Sequence, residues 1–509
     1  MCRCAPYTRV LVRPCGWRLV PGFMDGSREN VSLLRLVPTC FDGGVYEMVL
    51  ASWLSALVDG VVDAALLAIV AALLFWLRKR RLADGKGPCR VLRALAIACA
   101  VVALFFAARG MIGSIQSAID QRPVSSDVVS YLADTATDLD LSAGNADTSA
   151  GGLNPASFGK IDGYRVFLAG EDHTLAKSYE ARRLMIRFLY EHANVRYLLV
   201  EGGVGDGLLL DCYVQTGDEA LLDSEIAALK GTMSYTRETR DFWTWLHGFN
   251  AGSPEGERLH VIGLDVDHQA SNAARGIATL VNGDTELPGP WAGMFDRLRN
   301  GDEEAVGDLS HLLDEDETAA KAVFGDKLDM ARRACQSVDA AERYYKALNN
   351  GDTASGDEIR DGWMMASFEF ALEHAPANAR FFGQFGGEHV YQAACDTQFG
   401  TVSFNRFAMR LCADGSPVAG EVCSMLYAYT NAGALPLLRT YGDSGRYFEY
   451  GPLEPWYGRD VFFELDGQDS PFADTSVFIK CGADPDAPDT AYIQKLLLLS
   501  DSPETTPMG

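Results

Sequence analysis

Acidic residues and histidines follow four apolar runs of the sequence. The runs end in the motifs GEDH, EGG, DVDH and GQFGGEH. Three of the eight histidines of the chain lie at these positions. One shared site explains this coincidence better than four unrelated helix caps or surface charges do. The chemically active residues at the four ends are Glu171, His173, Glu201, Asp265, His268, Glu388 and His389.

Carboxylates beside histidines suit two kinds of chemistry. A histidine that a carboxylate orients can take a proton from water as the water attacks a carbonyl. Alternatively, neutral imidazoles and carboxylates bind a divalent metal that lowers the pKa of bound water. The ligands of such a metal would come from Glu171, His173, Glu201 and His389. A covalent nucleophile is less supported because the chain has no GxSxG elbow, and it also lacks a P-loop.

The four apolar runs predict buried strands over 164–170, 196–202, 259–266 and 379–385. Near-continuous apolar runs are typical of parallel strands that are covered on both faces. Helices are predicted over 175–193, 206–250, 290–350 and 359–375. The sequence therefore predicts an α/β domain with a mainly parallel sheet covered by helices on both faces. The carboxyl ends of parallel strands converge on one crevice, where the polar residues would meet.

Four further assignments concern substrate binding, and they involve Asp265, His268, Arg360 and Glu388. Asp267 and His268 could equally cap the helix that follows them. Arg360 and the neighbouring Asp361 also fit a structural ion pair or a helix start.

The charge of the chain is divided unevenly along its length. Residues 1–115 carry 14 Lys and Arg against 7 Asp and Glu, and the rest carries 30 against 62. The pI near 4.7 argues against a nucleic-acid partner. Apolar stretches at 48–77 and 94–108 predict two membrane spans, and the basic residues between them place that loop in the cytoplasm.

These patterns predict four regions. They are a leader of uncertain status at 1–47, two membrane helices with a basic loop at 48–115, a flexible linker at 116–157 and an α/β domain at 158–505. The chain would be a multi-pass protein of the cell membrane with an extracytoplasmic C-terminal domain. Six cysteines beyond residue 150 permit up to three disulfides, or they are buried thiols.

From the GEDH turn onwards the chain resembles the erythromycin esterase-like superfamily. Its relatives include a haem-binding lipoprotein family and a membrane-anchored metalloprotease family. Erythromycin esterases have a strand ending in G-E-x-x-H, a helix with R-x-x-x-x-R and a strand ending in Glu. Arg182, Arg187 and Glu201 keep that spacing here. The GEDH turn is one residue shorter and is nearer the G-E-x-H form of the other two branches.

Two later motifs extend the resemblance over roughly residues 158–395. The segment IRDGWMMASFEFALEH is similar to the R-D-x-x-M-A-E-N helix of the family, with Arg360, Asp361 and Met364 matching and Ser367 in place of Asn. The segment GGEHV resembles a late family turn and places His389 at its histidine.

The resemblance implies a role for each matched residue. His173 would be the base that activates water, and Glu171 and Glu201 would orient the base or the water. Arg182 would bind an oxyanion or a carboxylate. His389 would complete the pocket.

The sequence thus predicts a membrane-anchored extracytoplasmic hydrolase that cleaves an ester or related carbonyl bond in a small molecule or peptide. The membrane bilayer would be its other partner. This hypothesis requires no cofactor. Two alternatives stay open: a metal-dependent protease or hydrolase that uses a divalent ion, and a non-catalytic domain that binds haem, iron or another ligand.

Overall fold

A computed structural model describes residues 76–77, 79–80, 124–145, 151–282, 285–395, 405–433, 448–484 and 486–509. One compact unit contains 127–430 and 442–509. A second unit contains 19–126 and 431–441, of which few residues are described. No helix of the described part is long and apolar enough to cross a membrane. The predicted spans at 48–77 and 94–108 lie outside the described residues, apart from Trp76 and Leu77.

An eight-stranded sheet forms the centre of the first unit, with the strand order β1-β7-β8-β6-β2-β5-β3-β4. Strands β2 to β6 and β8 pair in parallel, whereas β1 and β7 form an antiparallel edge. The strands are Thr137–Asp138 (β1), Val166–Glu171 (β2), Tyr197–Gly203 (β3), His260–Asp265 (β4), Phe381–Gly386 (β5), Val422–Thr430 (β6), Val461–Glu464 (β7) and Lys495–Ser500 (β8). The four predicted strands are confirmed as β2 to β5. The other four strands were not predicted from the sequence.

Thirteen α-helices accompany the sheet in the described part. They are Ser126–Thr135 (α1), Pro155–Phe158 (α2), Lys177–His192 (α3), Val204–Thr216 (α4), Glu219–Ala228 (α5), Arg237–Ala251 (α6), Ala270–Ala278 (α7), Pro290–Arg299 (α8), Glu304–Glu315 (α9), Glu317–Phe324 (α10), Leu328–Asn349 (α11), Thr353–His374 (α12) and Phe407–Cys412 (α13). The α/β class and the four predicted helical regions are confirmed.

Helices cover both faces of the sheet. On one face, Met364 and Phe368 of α12 pack with Leu168, Leu199 and other buried strand residues. On the other face, the ring of Phe158 lies 6.2 Å from that of Phe167 in β2 and 5.0 Å from that of Phe188 in α3. Successive strand residues point to opposite faces, so the apolar run of β2 supplies both cores. Burial of this apolar surface is the main force that holds the layers together.

The predicted flexible linker at 116–157 is wrong for its described part. Val128 and Leu132 of α1 are buried, and β1 pairs with β7 from Thr137↔Phe462 to Asp138↔Val461. Asn154 caps α2 by accepting hydrogen bonds from the backbone N–H groups of Ala156 and Ser157. The segment is rich in small and polar residues, yet its few apolar side chains have a core to enter.

The last residues of the chain run antiparallel beside two loops. Isolated bridges join Leu175 to Glu504 and Thr236 to Pro507. The backbone N–H of Thr505 donates to the carbonyl of Thr174 over 2.7 Å. The C-terminal segment 501–509 therefore holds the chain directly after His173.

Candidate active site

The predicted meeting of strand ends is observed at the carboxyl edge of β2, β5, β3 and β4. Glu171 and Asp265 are the last residues of β2 and β4, and Glu201 lies near the end of β3. Gly386 ends β5 between them. A Cβ at this position would lie 3.1 Å from His173 Nε2 and 3.7 Å from Glu201 Oε2. The missing side chain therefore leaves room for the histidine and the carboxylate to approach each other.

Glu171 and His173 form a close pair at the open side of the site. Their Oε1 and Nδ1 atoms are 2.6 Å apart, and the side chains are 13% and 46% exposed, respectively. Burial disfavours the charged imidazole, but the Glu171 carboxylate and its hydrogen bond outweigh this effect. With a smaller contribution from Glu201, they raise the pKa of His173 to about 10. Since Nδ1 faces Glu171, Nε2 is the nitrogen left to exchange protons with a ligand.

The turn that presents His173 contains an unusual backbone conformation. Thr174 has a φ of 71°, in the left-handed region that a residue with a Cβ rarely adopts. The hydrogen bond from Thr505 to the Thr174 carbonyl, and one of 2.9 Å from the Ala176 N–H to the Pro503 carbonyl, hold the chain there. This contribution of the C-terminal segment was not predicted, because 331 positions separate Thr505 from Thr174 and no local pattern connects them.

Glu201 is locked in place by donors on two sides. Its Oε2 accepts a hydrogen bond of 2.7 Å from the Gly386 backbone N–H, and its Oε1 accepts one of 2.7 Å from Arg360 Nη2. Burial raises the pKa of this carboxyl, but Arg360, His389 and His173 outweigh it and bring the pKa to about 2. Glu201 is therefore a fixed anion at neutral pH.

Arg360 also pairs with Asp265, which is completely buried. Its Nε lies 2.9 Å from Asp265 Oδ2, and the arginine holds the pKa of the aspartate well below its usual range although burial opposes this. His268 approaches Asp265 Oδ2 through Nε2 at 3.3 Å and Tyr345 through Nδ1 at 2.6 Å. The predicted substrate-binding residues Asp265, His268 and Arg360 thus form a network around Glu201. Arg360 does not begin a helix, since α12 starts at Thr353.

His389 is buried beneath the site and is paired with Asp361. Its Nδ1 lies 2.8 Å from Asp361 Oδ1, which also accepts a hydrogen bond of 2.7 Å from the Phe407 N–H. Its Nε2 lies 3.6 Å from Glu201 Oε1. Burial lowers the pKa of His389, but the two carboxylates outweigh it and raise the pKa above its ordinary value. The motif residues Arg360 and Asp361 therefore contact Glu201 and His389 and not each other.

Arg182 of α3 lies beside the site on the aromatic residues of α6. Its guanidinium carbon is 4.0 Å from the centre of the Phe242 ring and 5.7 Å from that of Trp243. Burial lowers its pKa to about 10, and Tyr179, Tyr427 and Glu171 partly offset this. Its buried Nε has no hydrogen-bond partner among the described residues, so this N–H is an unsatisfied donor beside the site.

Three other candidates have structural contacts. Arg187 donates from Nε to the Gly144 carbonyl over 3.0 Å. Glu388 forms an ion pair with Arg406. Asp267 caps α4, since both of its carboxylate oxygens lie 3.1 Å from the Gly205 backbone nitrogen. The predicted cap of α7 by Asp267 or His268 is wrong. The helix begins after Gln269, and the side chains of Asp267 and His268 contact other residues.

The donor set does not fit a metal centre. No group of three or more His, Cys, Asp or Glu side chains within the described ranges is arranged to hold an ion. Both oxygens of Glu201 already accept hydrogen bonds, one from Arg360 and one from the Gly386 backbone N–H, so this carboxylate is a poor metal ligand.

Fold and site together define an α/β protein with a carboxylate–histidine site at the carboxyl ends of its parallel strands. Residues 190–397 match the family model of erythromycin esterase. This segment contains Glu201, Asp265, Arg360 and His389, whereas Glu171 and His173 precede it. The chain is erythromycin esterase-like over this segment, which confirms the superfamily that the motifs indicated.

Three solved structures match the chain in a structural comparison. A Bacillus cereus protein matches with 13% identity and a TM-score of 0.52, over 76% of this chain and 100% of that one. A succinoglycan biosynthesis protein matches with 12% identity and the same TM-score and coverage. An erythromycin esterase mutant, EreC, in its open conformation matches with 13% identity and a TM-score of 0.49, over 73% and 98%. No curated protein matches the chain in sequence. The first two likenesses show the shared fold.

Proposed function

We propose that this protein is a hydrolase that cleaves an ester or related carbonyl bond by attack of water. The observation that carries the proposal is the Glu171–His173 pair, which has a 2.6 Å contact through Nδ1, a half-exposed imidazole and an Nε2 that this contact does not use. The family match supports a hydrolase as the class of enzyme. The pair resembles the acid–histidine part of catalytic sites in which a carboxylate orients an imidazole base.

In the proposed mechanism, His173 Nε2 removes a proton from water as the water oxygen attacks the carbonyl carbon. Glu171 accepts the hydrogen bond from Nδ1 and stabilises the imidazolium that forms. Protonated His173 then donates its proton to the leaving oxygen. Because the pKa of His173 is raised to about 10, the free base is a minor form at pH 7 and increases as the pH rises.

Three neighbours would support this reaction without transferring protons. Glu201 keeps its charge because its pKa is about 2, so it orients groups near His173 and does not act as a base. The unpartnered Nε–H of Arg182 would donate to the oxyanion that develops on the carbonyl oxygen. His389, held by Asp361, would position Glu201.

The membrane anchor and the extracytoplasmic location of the domain belong to the same proposal. They are supported by the apolar stretches at 48–77 and 94–108 and by the basic residues between them. Labelling of intact cells with a membrane-impermeant reagent would test the topology. Modification of residues 158–505 only after lysis would contradict the predicted orientation.

The central experiment compares His173→Ala with the wild type on a panel of esters, lactones and peptides. We expect a loss of at least about a hundredfold in kcat/KM for any substrate that is turned over. The matched control is His311→Ala, since His311 is exposed on α9. Equal activity of His173→Ala and the wild type would refute the proposed base.

The alternatives give different results in the same protein. Loss of activity to a chelator and its recovery with a stoichiometric divalent ion would favour the metal-dependent hydrolase. A Soret band after titration with haem, with no hydrolysis across the panel, would favour a binding domain.

A further inference from the structure

Cys395 and Cys481 lie on two segments that pair with each other outside the sheet. An antiparallel bridge joins Cys395 to Gly482, the residue after Cys481. The backbone N–H of Ala483 donates to the carbonyl of Ala394 over 2.9 Å. Cys481 is buried and Cys395 is half-buried. The two cysteines are therefore neighbours in space although 86 positions separate them.

The two thiols lie close enough to affect each other. Cys481 and burial together raise the pKa of the Cys395 thiol. Both sulfur atoms also raise the pKa values of Tyr391 and Tyr492, so these two aromatic residues lie near the pair. The backbone bridge itself places Cys395 and Cys481 side by side.

We propose that Cys395 and Cys481 form a disulfide when the protein is in an oxidising compartment. The reaction is an exchange with a small-molecule disulfide such as oxidised glutathione. Each cysteine loses its proton, the two sulfur atoms form one bond, and the two electrons reduce the small disulfide to two thiols. The proposal does not depend on the proposed hydrolase activity.

The bond would secure the chain that leaves the candidate site. Cys395 follows His389 by six residues, and Cys481 follows a segment that is already fixed. The backbone N–H groups of Phe478 and Ile479, just before Cys481, donate hydrogen bonds of 2.9–3.1 Å to the Asp489 carboxylate. A link to this anchored segment would restrict the chain after His389.

The raised thiol pKa has a kinetic consequence. The thiolate is the attacking species in exchange, and burial makes it scarce in the folded protein. We therefore expect the bond to form readily during folding and slowly in protein that has already folded in the reduced state.

The test uses the full-length chain, prepared once in oxidised glutathione and once in a reducing agent. Alkylation, digestion and mass spectrometry should identify a peptide pair linked through Cys395 and Cys481 in the oxidised sample and not in the reduced one. The Tm of the oxidised sample should be higher by roughly 5 °C or more. Cys395→Ser should abolish the linked pair and the Tm difference, whereas Cys212→Ser on α4 should retain both.

Complete alkylation of Cys395 and Cys481 in the oxidised wild type would overturn the proposal. So would a bond from either residue to another cysteine. The peptide map of the wild type decides the question even if Cys395→Ser does not fold.

Discussion

Replacement of Arg360 tests the charge network that fixes Glu201. Arg360→Met keeps much of the side-chain length and removes the guanidinium that pairs with Glu201 and Asp265. The pKa of Glu201 lies at about 2 against an ordinary 4.5, chiefly because Arg360 outweighs the effect of burial. This difference is worth about 3 kcal/mol at neutral pH. We expect the free energy of unfolding of the variant to be lower by about 3–5 kcal/mol, because two buried carboxylates remain without their cation.

The pH dependence of this loss follows from the sign of the pKa shift. The folded pKa of Glu201 is depressed, so its contribution is complete above pH 4.5 and is lost as the pH falls towards 2. In urea unfolding, the difference in free energy of unfolding between the wild type and Arg360→Met should therefore be smaller at pH 3 than at pH 7.

The matched control is Arg343→Met, since Arg343 is exposed on α11. It should change the free energy of unfolding by less than about 0.5 kcal/mol. The reasoning would be refuted if Arg360→Met lowered the free energy of unfolding by less than about 1 kcal/mol at pH 7, or by the same amount at both pH values. If Arg360→Met does not fold at pH 7, Arg360→Lys supplies the comparison. Its free energy of unfolding should lie between those of the wild type and Arg360→Met, because lysine cannot form a bidentate pair.

Three further predictions concern the reacting pair, its support and a buried carboxyl. Glu171→Gln removes the carboxylate that raises the pKa of His173. The rising limb of the plot of kcat/KM against pH should therefore move from near pH 10 towards pH 6.5. An unchanged profile would contradict the pairing of Glu171 with His173. Thr505→Pro removes the N–H that donates to the Thr174 carbonyl. We expect kcat/KM to fall about tenfold or more, while the Tm measured by calorimetry changes little. Thr505→Ser keeps the N–H and is the control. Burial raises the pKa of Glu225 well above its ordinary value, so the wild type loses stability as the pH rises past 4.5, where the unfolded chain releases this proton. Glu225→Gln should therefore stabilise the protein against urea at pH 8 by about 1 kcal/mol or more, and by less at pH 5; a gain that is larger at pH 5 would refute this sign.

The sequence by itself predicted the strands β2 to β5, the helix α3 and the convergence of acidic residues and histidines at the strand ends. These features depend on local pattern, because a buried parallel strand needs a continuous apolar run and the ends of such strands meet at one edge. The erythromycin esterase-like motifs lie in and directly after these elements of the chain. The resemblance also implied that Glu171 orients His173, and only one residue lies between the two.

Only the tertiary structure decided how the remaining site residues are used. Arg360 binds Glu201 and Asp265, which lie 159 and 95 positions away, and Asp361 binds His389. The C-terminal segment holds the left-handed Thr174, and the region predicted as a flexible linker adds a helix and an edge strand. A buried charge must find a partner wherever the fold provides one, and apolar side chains enter whatever core lies within reach. The partners in these contacts are distant in the chain, so local pattern carries no signal for them.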